Sequence, residues 1–171
     1  MRIDQVLFAR AGTPNLVNDP SFEEGIGDWG FILGNAVEDG FAYEGEFVGS
    51  LGGSGDAVFQ DVPLEKAAGK CFLFNYGFKV LGAPVGTTTG ATEARVIWLN
   101  DQGQEIGLGL SLLSTGEANP GGVGAEWLVY TGITEPAPPG TAFARIQFTK
   151  PRGFGEESVV HLDKVVFGRL V

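Results

Sequence analysis

The sequence predicts an all-β protein, an antiparallel sandwich of two sheets, and three observations predict it. Helical periodicity is nearly missing: only Leu64 to Ala68 could make a turn of helix. Short runs rich in β-branched and aromatic residues alternate between apolar and polar positions, as strands do when one face lies on a core. Gly 28 and Pro 9 among 171 residues supply the tight turns between them. No repeat and no internal boundary interrupts the pattern. The reading is one domain over residues 14–171, preceded by an N-terminal arm, residues 1–13.

The strands follow in order. Trp29–Ile32, Phe47–Leu51 and Ala57–Val62 are short and bounded by glycine, asparagine or aspartate. Lys70–Val80 alternates most cleanly. Phe72, Phe74, Tyr76, Phe78 and Val80 share one face, and Cys71, Leu73, Asn75, Gly77 and Lys79 share the other. Ala94–Leu99 and Glu105–Leu110 are joined by Asn100-Asp101-Gln102-Gly103, a hairpin turn with glycine placed for a positive φ. Trp127–Thr131 follows a long Gly/Pro loop. Thr141–Thr149 sets Ala142, Ala144, Ile146 and Phe148 against Phe143, Arg145, Gln147 and Thr149. In Ser158–Leu170, Val160 and Leu162 have one parity, and Val165 and Phe167 the other. One extra residue near Asp163-Lys164, a β-bulge, would return all four to the core.

Composition excludes several function classes. A net charge of −10 with no Lys/Arg cluster argues against nucleic acid, because nothing is present to displace its counterions. No run approaches the length of a membrane span, so membrane insertion is not expected. The opening MRIDQVLFARAGT has charges inside its short apolar run and makes a poor signal peptide. The compartment is therefore left open, with a surface or extracellular assembly as the expectation. One cysteine allows no internal disulfide, and Cys71 reads as a buried thiol. His161, the one histidine, reads as structural, so no Ser-His-Asp, Cys-His or zinc-ligand set exists and no enzyme is expected. Gly25 to Gly30 spells G-x-G-x-x-G but lacks the helix that would hold a pyrophosphate.

A set of motifs now accumulates. It comprises Asn18, Phe22-Glu23, Gly25 and Trp29, a Gly45–Leu51 strand, and Gln60-Asp61-Val62. It continues with Val96-Ile97-Trp98 before the Asn100–Gly103 turn, Trp127 before Tyr130-Thr131, and the Pro138–Ile146 segment. It closes with Leu162-Asp163 and Val165–Phe167. As a set, over residues 14–170, it resembles the jelly-roll carbohydrate-binding modules attached to xylanases and glucanases, within the galactose-binding-like sandwiches.

The resemblance implies one structural Ca²⁺ between the N-terminal Phe-Glu segment and the C-terminal Asp. Its side-chain ligands would be Glu23 and Asp163, with Asn18 and nearby carbonyls as lesser ones, since a hard cation takes oxygen donors. The alternative is that Glu23 caps a turn and Asp163 marks the bulge. The resemblance also implies polysaccharide, held by an aromatic face stacked on a sugar ring. Trp29, Trp98 and Trp127 match positions that serve the core or strand ends, which leaves Tyr76 as first platform and Tyr43 and Phe154 as second choices.

The arm carries strand-forming Ile3, Val6, Leu7 and Phe8. It would add a strand either to its own sheet edge or to a neighbouring subunit. With no spare tryptophan platform, the expected function is a self-assembling subunit of a filament, coat or capsid surface, a homo-oligomer linked through the arm. The alternative is a stand-alone glycan-binding module.

Overall fold

The computed structural model describes residues 13–25, 27–81, 90–116, 126–152 and 158–171. The arm residues Ile3, Val6, Leu7 and Phe8, and Phe154, fall outside them. The described residues form strands and turns without helix: β1 Gly30–Ile32, β2 Asn35–Glu38, β3 Phe47–Leu51, β4 Ala57–Pro63 and β5 Phe72–Leu81. They continue with β6 Gly90–Leu99, β7 Glu105–Gly116, β8 Leu128–Ile133, β9 Phe143–Thr149 and β10 Val159–Arg169. These pair into two five-stranded antiparallel sheets, ordered β1-β4-β9-β6-β7 and β2-β3-β10-β5-β8. Apart from the β2-β3 and β6-β7 pairs, neighbouring strands are non-consecutive, so the chain passes repeatedly from one sheet to the other. The result is the jelly-roll sandwich the sequence predicts.

The inward faces close over an aromatic core. Phe22, Phe74, Tyr76, Phe78, Trp98, Phe148 and Phe167 are all essentially fully buried. Phe72 stacks on Phe167 with centroids 4.9 Å apart, and Phe22 on Trp29 at 4.8 Å. Phe22 reaches this position with φ +60. Its ring lies over Gly49, where a β-carbon would stand 2.7 Å from it, so the residue opposite must be glycine.

The bulge is present. The pairing of β10 with β5 shifts register between Asp163 and Val166, Lys164 takes φ +50, and Val160, Leu162, Val165 and Phe167 are all fully buried. Before the bulge β10 pairs with β3; beyond it, residues 13–20 run alongside. Asn15 Nδ2 donates to the Val165 carbonyl, its Oδ1 accepts from Phe167 N–H, and Val165 N–H donates to the Pro20 carbonyl. The two ends of the domain are thus laced together.

Three elements differ from expectation, one of them β6, which begins at Gly90, four residues before the expected start. β2 was not foreseen, because an edge strand of four residues has no apolar alternation to announce it. β7 runs on to Gly116, six residues beyond the expected end. Cys71 is half-buried rather than enclosed.

Candidate functional site

The outer face of the sheet β1-β4-β9-β6-β7 is built by register alone. In β4, Val58 and Val62 turn to the core, so Phe59 and Asp61 turn out. In β9, Ala144, Ile146 and Phe148 turn in, leaving Arg145 and Gln147 outside. Pairing aligns Phe59 with Gln147, Gln147 with Arg95, and Arg95 with Ser111. Four strands therefore carry one transverse row, about 14 Å long at the usual strand spacing. A second row begins with Asp61 opposite Arg145.

The chemistry of these rows is paired. Arg145 makes a bidentate ion pair with Asp61, at 2.7 and 2.8 Å, and the bond to Asp61 raises its pKa further. Its guanidinium lies 5.0 Å from the Phe59 ring centroid. Phe59 can lie flat because its neighbour on β1 is Gly30, where a β-carbon would come within 2.6 Å of the ring. Farther along, Ser111 Oγ donates to Glu93, and Arg95 Nε is 3.7 Å from the same carboxylate. That Nε is buried and has no hydrogen-bond partner. The face thus presents a half-exposed aromatic ring, planar donor groups and fixed carboxylate acceptors.

The other sheet's outer face is different. The segment from Asp39 to Glu46, joining β2 to β3, folds across β10 and β5. Asp163 Oδ2 accepts the N–H groups of Tyr43 and Glu44 at 2.8 and 2.9 Å, and its Oδ1 accepts that of Lys164. Glu23 Oε1 accepts those of Glu46 and Phe47 at 2.9 and 2.8 Å. Gly45, with φ +75, admits the Glu23 carboxylate so closely that a β-carbon would lie 2.2 Å from it. Burial raises Asp163 to about 6, against the lowering effect of its three backbone bonds, and the nearby Glu23 charge adds to the rise.

The fold therefore brings Glu23 and Asp163 to one loop. Asn18 is tied instead to β4, its N–H and C=O bonded to the Gln60 side chain. Two carboxylates on one loop are hard oxygen donors of the kind Ca²⁺ takes. Among the described residues no third His, Cys, Asp or Glu side chain joins them, so carbonyls would have to complete a shell.

The expected sugar platforms are redistributed. Tyr76 is a correction: it is fully buried between the sheets, stacked on Tyr130, and its hydroxyl bonds Ser114. Burial pushes that hydroxyl up to about 12. A ring facing the core cannot meet a sugar. Tyr43 is 44% exposed, on the clamped loop. Trp29 and Trp98 are core residues, as expected, but Trp127 lies on the outer face over Gly77, with its Nε1 donating to the Phe41 carbonyl. Sequence reasoning missed Phe59, Arg95, Arg145 and Gln147. The alternation within β4 and β9 was the available signal, and an aromatic on the polar side of a strand was the clue.

No protein-family model matches the sequence, and no curated protein sequence does. Solved structures do match. The enzymatically active domain of bacteriophage CBA120 tailspike protein 4 superposes with a TM-score of 0.64 at 20% identity, covering 92% of this chain and 21% of that one. The chain thus spans about a fifth of that domain. A family 16 carbohydrate-binding module superposes at 0.58 with 16% identity, over 90% of this chain and 99% of the module. The C-terminal family 22 module of Clostridium thermocellum Xyn10B does so at 0.57 with 10% identity, over 92% of each. The fold is that of the jelly-roll carbohydrate-binding modules. The expectation of a self-assembling filament, coat or capsid-surface subunit is overturned here, because the neighbours are for the most part binding modules, which back the alternative instead. No helix among the described residues is long and apolar enough to cross a membrane.

Proposed function

We propose that the chain is a non-catalytic glycan-binding module whose ligand face is the outer face of β1-β4-β9-β6-β7. The observation that carries this is the Phe59–Arg145–Asp61 group and the polar row beside it. A flat apolar ring meets the C–H face of a sugar, and fixed donors and acceptors around it read hydroxyls. Because Asp61 neutralises Arg145 and Glu93 stands beside Arg95, the face offers donors and acceptors in pairs. That balance suits a neutral polysaccharide. The structural neighbours include xylan-binding modules, which supports the same substrate class. The absence of catalysis is supported by the chemistry left over: the one histidine is buried against Asp39, and Asp61 and Glu93 are each held by hydrogen bonds.

Affinity electrophoresis against xylan, β-glucan and mannan tests it. The Phe59→Ala/Arg145→Ala variant should lose retardation by tenfold or more while keeping its fold. Equal retardation of variant and wild type would sink the assignment of the face.

We propose in addition that Glu23 and Asp163 hold one Ca²⁺, which would supply positive charge between two carboxylates and pin the Asp39–Glu46 loop to both chain ends. Ca²⁺ should raise the melting temperature of the wild type and not that of Glu23→Ala. An equal loss for the variant in Ca²⁺ and in chelator would count against the ion.

A further inference from the structure

The clamped loop on the second sheet is more elaborately held than a connection needs to be. Asp39 Oδ2 meets Lys79 Nζ at 2.7 Å and His161 Nδ1 at 2.8 Å. The Phe41 carbonyl accepts from Lys79 Nζ at 3.2 Å and from Trp127 Nε1 at 2.8 Å. With the Asp163 and Glu23 bonds, side chains from four separate parts of the chain fix this one segment. Most of the holding is done by backbone groups and by Asp39, with Glu44 meeting Ser21 and Lys164 at 3.4 and 3.6 Å. The rings of Phe41 and Tyr43 touch the frame at one side, with Lys79 Nζ 5.9 Å and Lys164 Nζ 5.3 Å from their centroids, yet they project from it 72% and 44% exposed. Trp127 stands edge-on to Tyr43, with centroids 5.8 Å apart.

The surroundings narrow what these rings could meet. A cleft of about 370 Å³ opens between the two ends of the same loop, lined by Glu38, Asp39, Gly40, Gly45 and Glu46. Lys79 is spent on Asp39 and on the Phe41 carbonyl, and Lys164 lies 3.6 Å from Glu44. The open rim is therefore acceptor carboxylate beside aromatic face, with the Lys164 ammonium 5.3 Å from the Tyr43 ring centroid. It repels anionic partners and suits a ligand that offers hydroxyl donors around an apolar ring face.

We propose that this is a second glycan site, in which Phe41 and Tyr43 stack on a neutral pyranose while Glu38 and Glu46 accept from its hydroxyls. It rests on the module being a glycan binder, but it uses no residue of the first face. One chain would then carry two sites on opposite sheets and could bridge two polysaccharide strands. The rigid frame supports binding because the ordering cost is met during folding.

Calorimetric titration of the full chain with xylohexaose, cellohexaose and mannohexaose tests it, using Phe41→Ala/Tyr43→Ala, Phe59→Ala/Arg145→Ala and the quadruple variant. The expected result is two equivalents bound by the wild type, one by each double variant and none by the quadruple. The Trp127 indole N–H resonance should still shift with sugar in Phe59→Ala/Arg145→Ala. One equivalent in the wild type, kept by Phe41→Ala/Tyr43→Ala and lost in the other variant, would overturn the second site and leave the first standing. The reverse loss would overturn the first face and keep the second. No binding of any hexasaccharide by the wild type would overturn both.

Discussion

The two outer faces of this sandwich spend their polar groups differently. On β1-β4-β9-β6-β7 the side chains stand out by strand alternation, and their partners are other side chains of the same surface: Arg145 with Asp61, Ser111 with Glu93. On β2-β3-β10-β5-β8 the polar side chains bind the chain itself. Asp163, Lys79 and His161 are buried and, with Glu23, hold the Asp39–Glu46 loop. The first face is free to exchange its contacts for a ligand's. The second must keep its contacts to stay folded, and only the rings that the loop carries are available. Surface groups on one face should therefore show up in binding, and buried groups on the other in stability.

The sharpest break in that comparison is Lys79→Met against Arg145→Ala. Lys79 is only 2% exposed, and its ammonium is the cation for Asp39. Removing it leaves a largely buried carboxylate facing a neutral imidazole, a change that costs on the order of 3–5 kcal/mol. The Arg145–Asp61 pair stands a third exposed on both sides. Breaking it should cost roughly 0–1 kcal/mol, because water and salt replace most of what is lost. Urea denaturation of both variants measures the difference. Equal losses would erase the distinction between the faces.

Much of this could be read from the sequence, for identifiable reasons. The bulge at Asp163-Lys164 was legible because four apolar residues of two parities cannot otherwise share a core. The Asn100–Gly103 hairpin was legible because its asparagine and glycine act locally: Asn100 Oδ1 accepts from the N–H groups of Gln102 and Gln104, and Gly103 takes φ +74. The pairing of Glu23 with Asp163 came from the family resemblance, and the fold brings both to one loop. What that loop does was not legible. Its anchors are backbone N–H groups, which every residue has and which leave no trace in composition.

The error over Tyr76 has a different origin. Alternation groups Tyr76 with Phe72, Phe74 and Phe78, and an all-aromatic face belongs to the core by the hydrophobic effect. A ring on that face points into the core whatever its hydroxyl offers. Phe59 was overlooked for the converse reason. A phenylalanine reads as core until its register places it beside Arg145 and opposite Gln147.

The smallest expected effect separates the faces by pH. Burial alone would raise Asp39 above its ordinary 3.8, but bonds from Lys79, the Phe41 N–H and His161, with the Lys79 charge, hold it at about 2. The folded chain is thus harder to protonate there than the unfolded one. The stability it gains is complete above about pH 4 and is lost as pH falls through 2. His161 works in the same direction. Burial lowers its pKa below 6.5, more than the Asp39 bond raises it, so a neutral ring donates from Nδ1 and protonation is resisted. Acid should therefore loosen the clamped loop. The Trp127 indole N–H, bonded to the Phe41 carbonyl, should move between pH 4 and 2. Asp39→Asn should flatten that transition, since an amide neither titrates nor draws a proton from His161. A Trp127 resonance with the same acid profile in wild type and Asp39→Asn would show that the loop is held without this carboxylate, and the contrast between the two faces would then rest on Asp163 and Glu23.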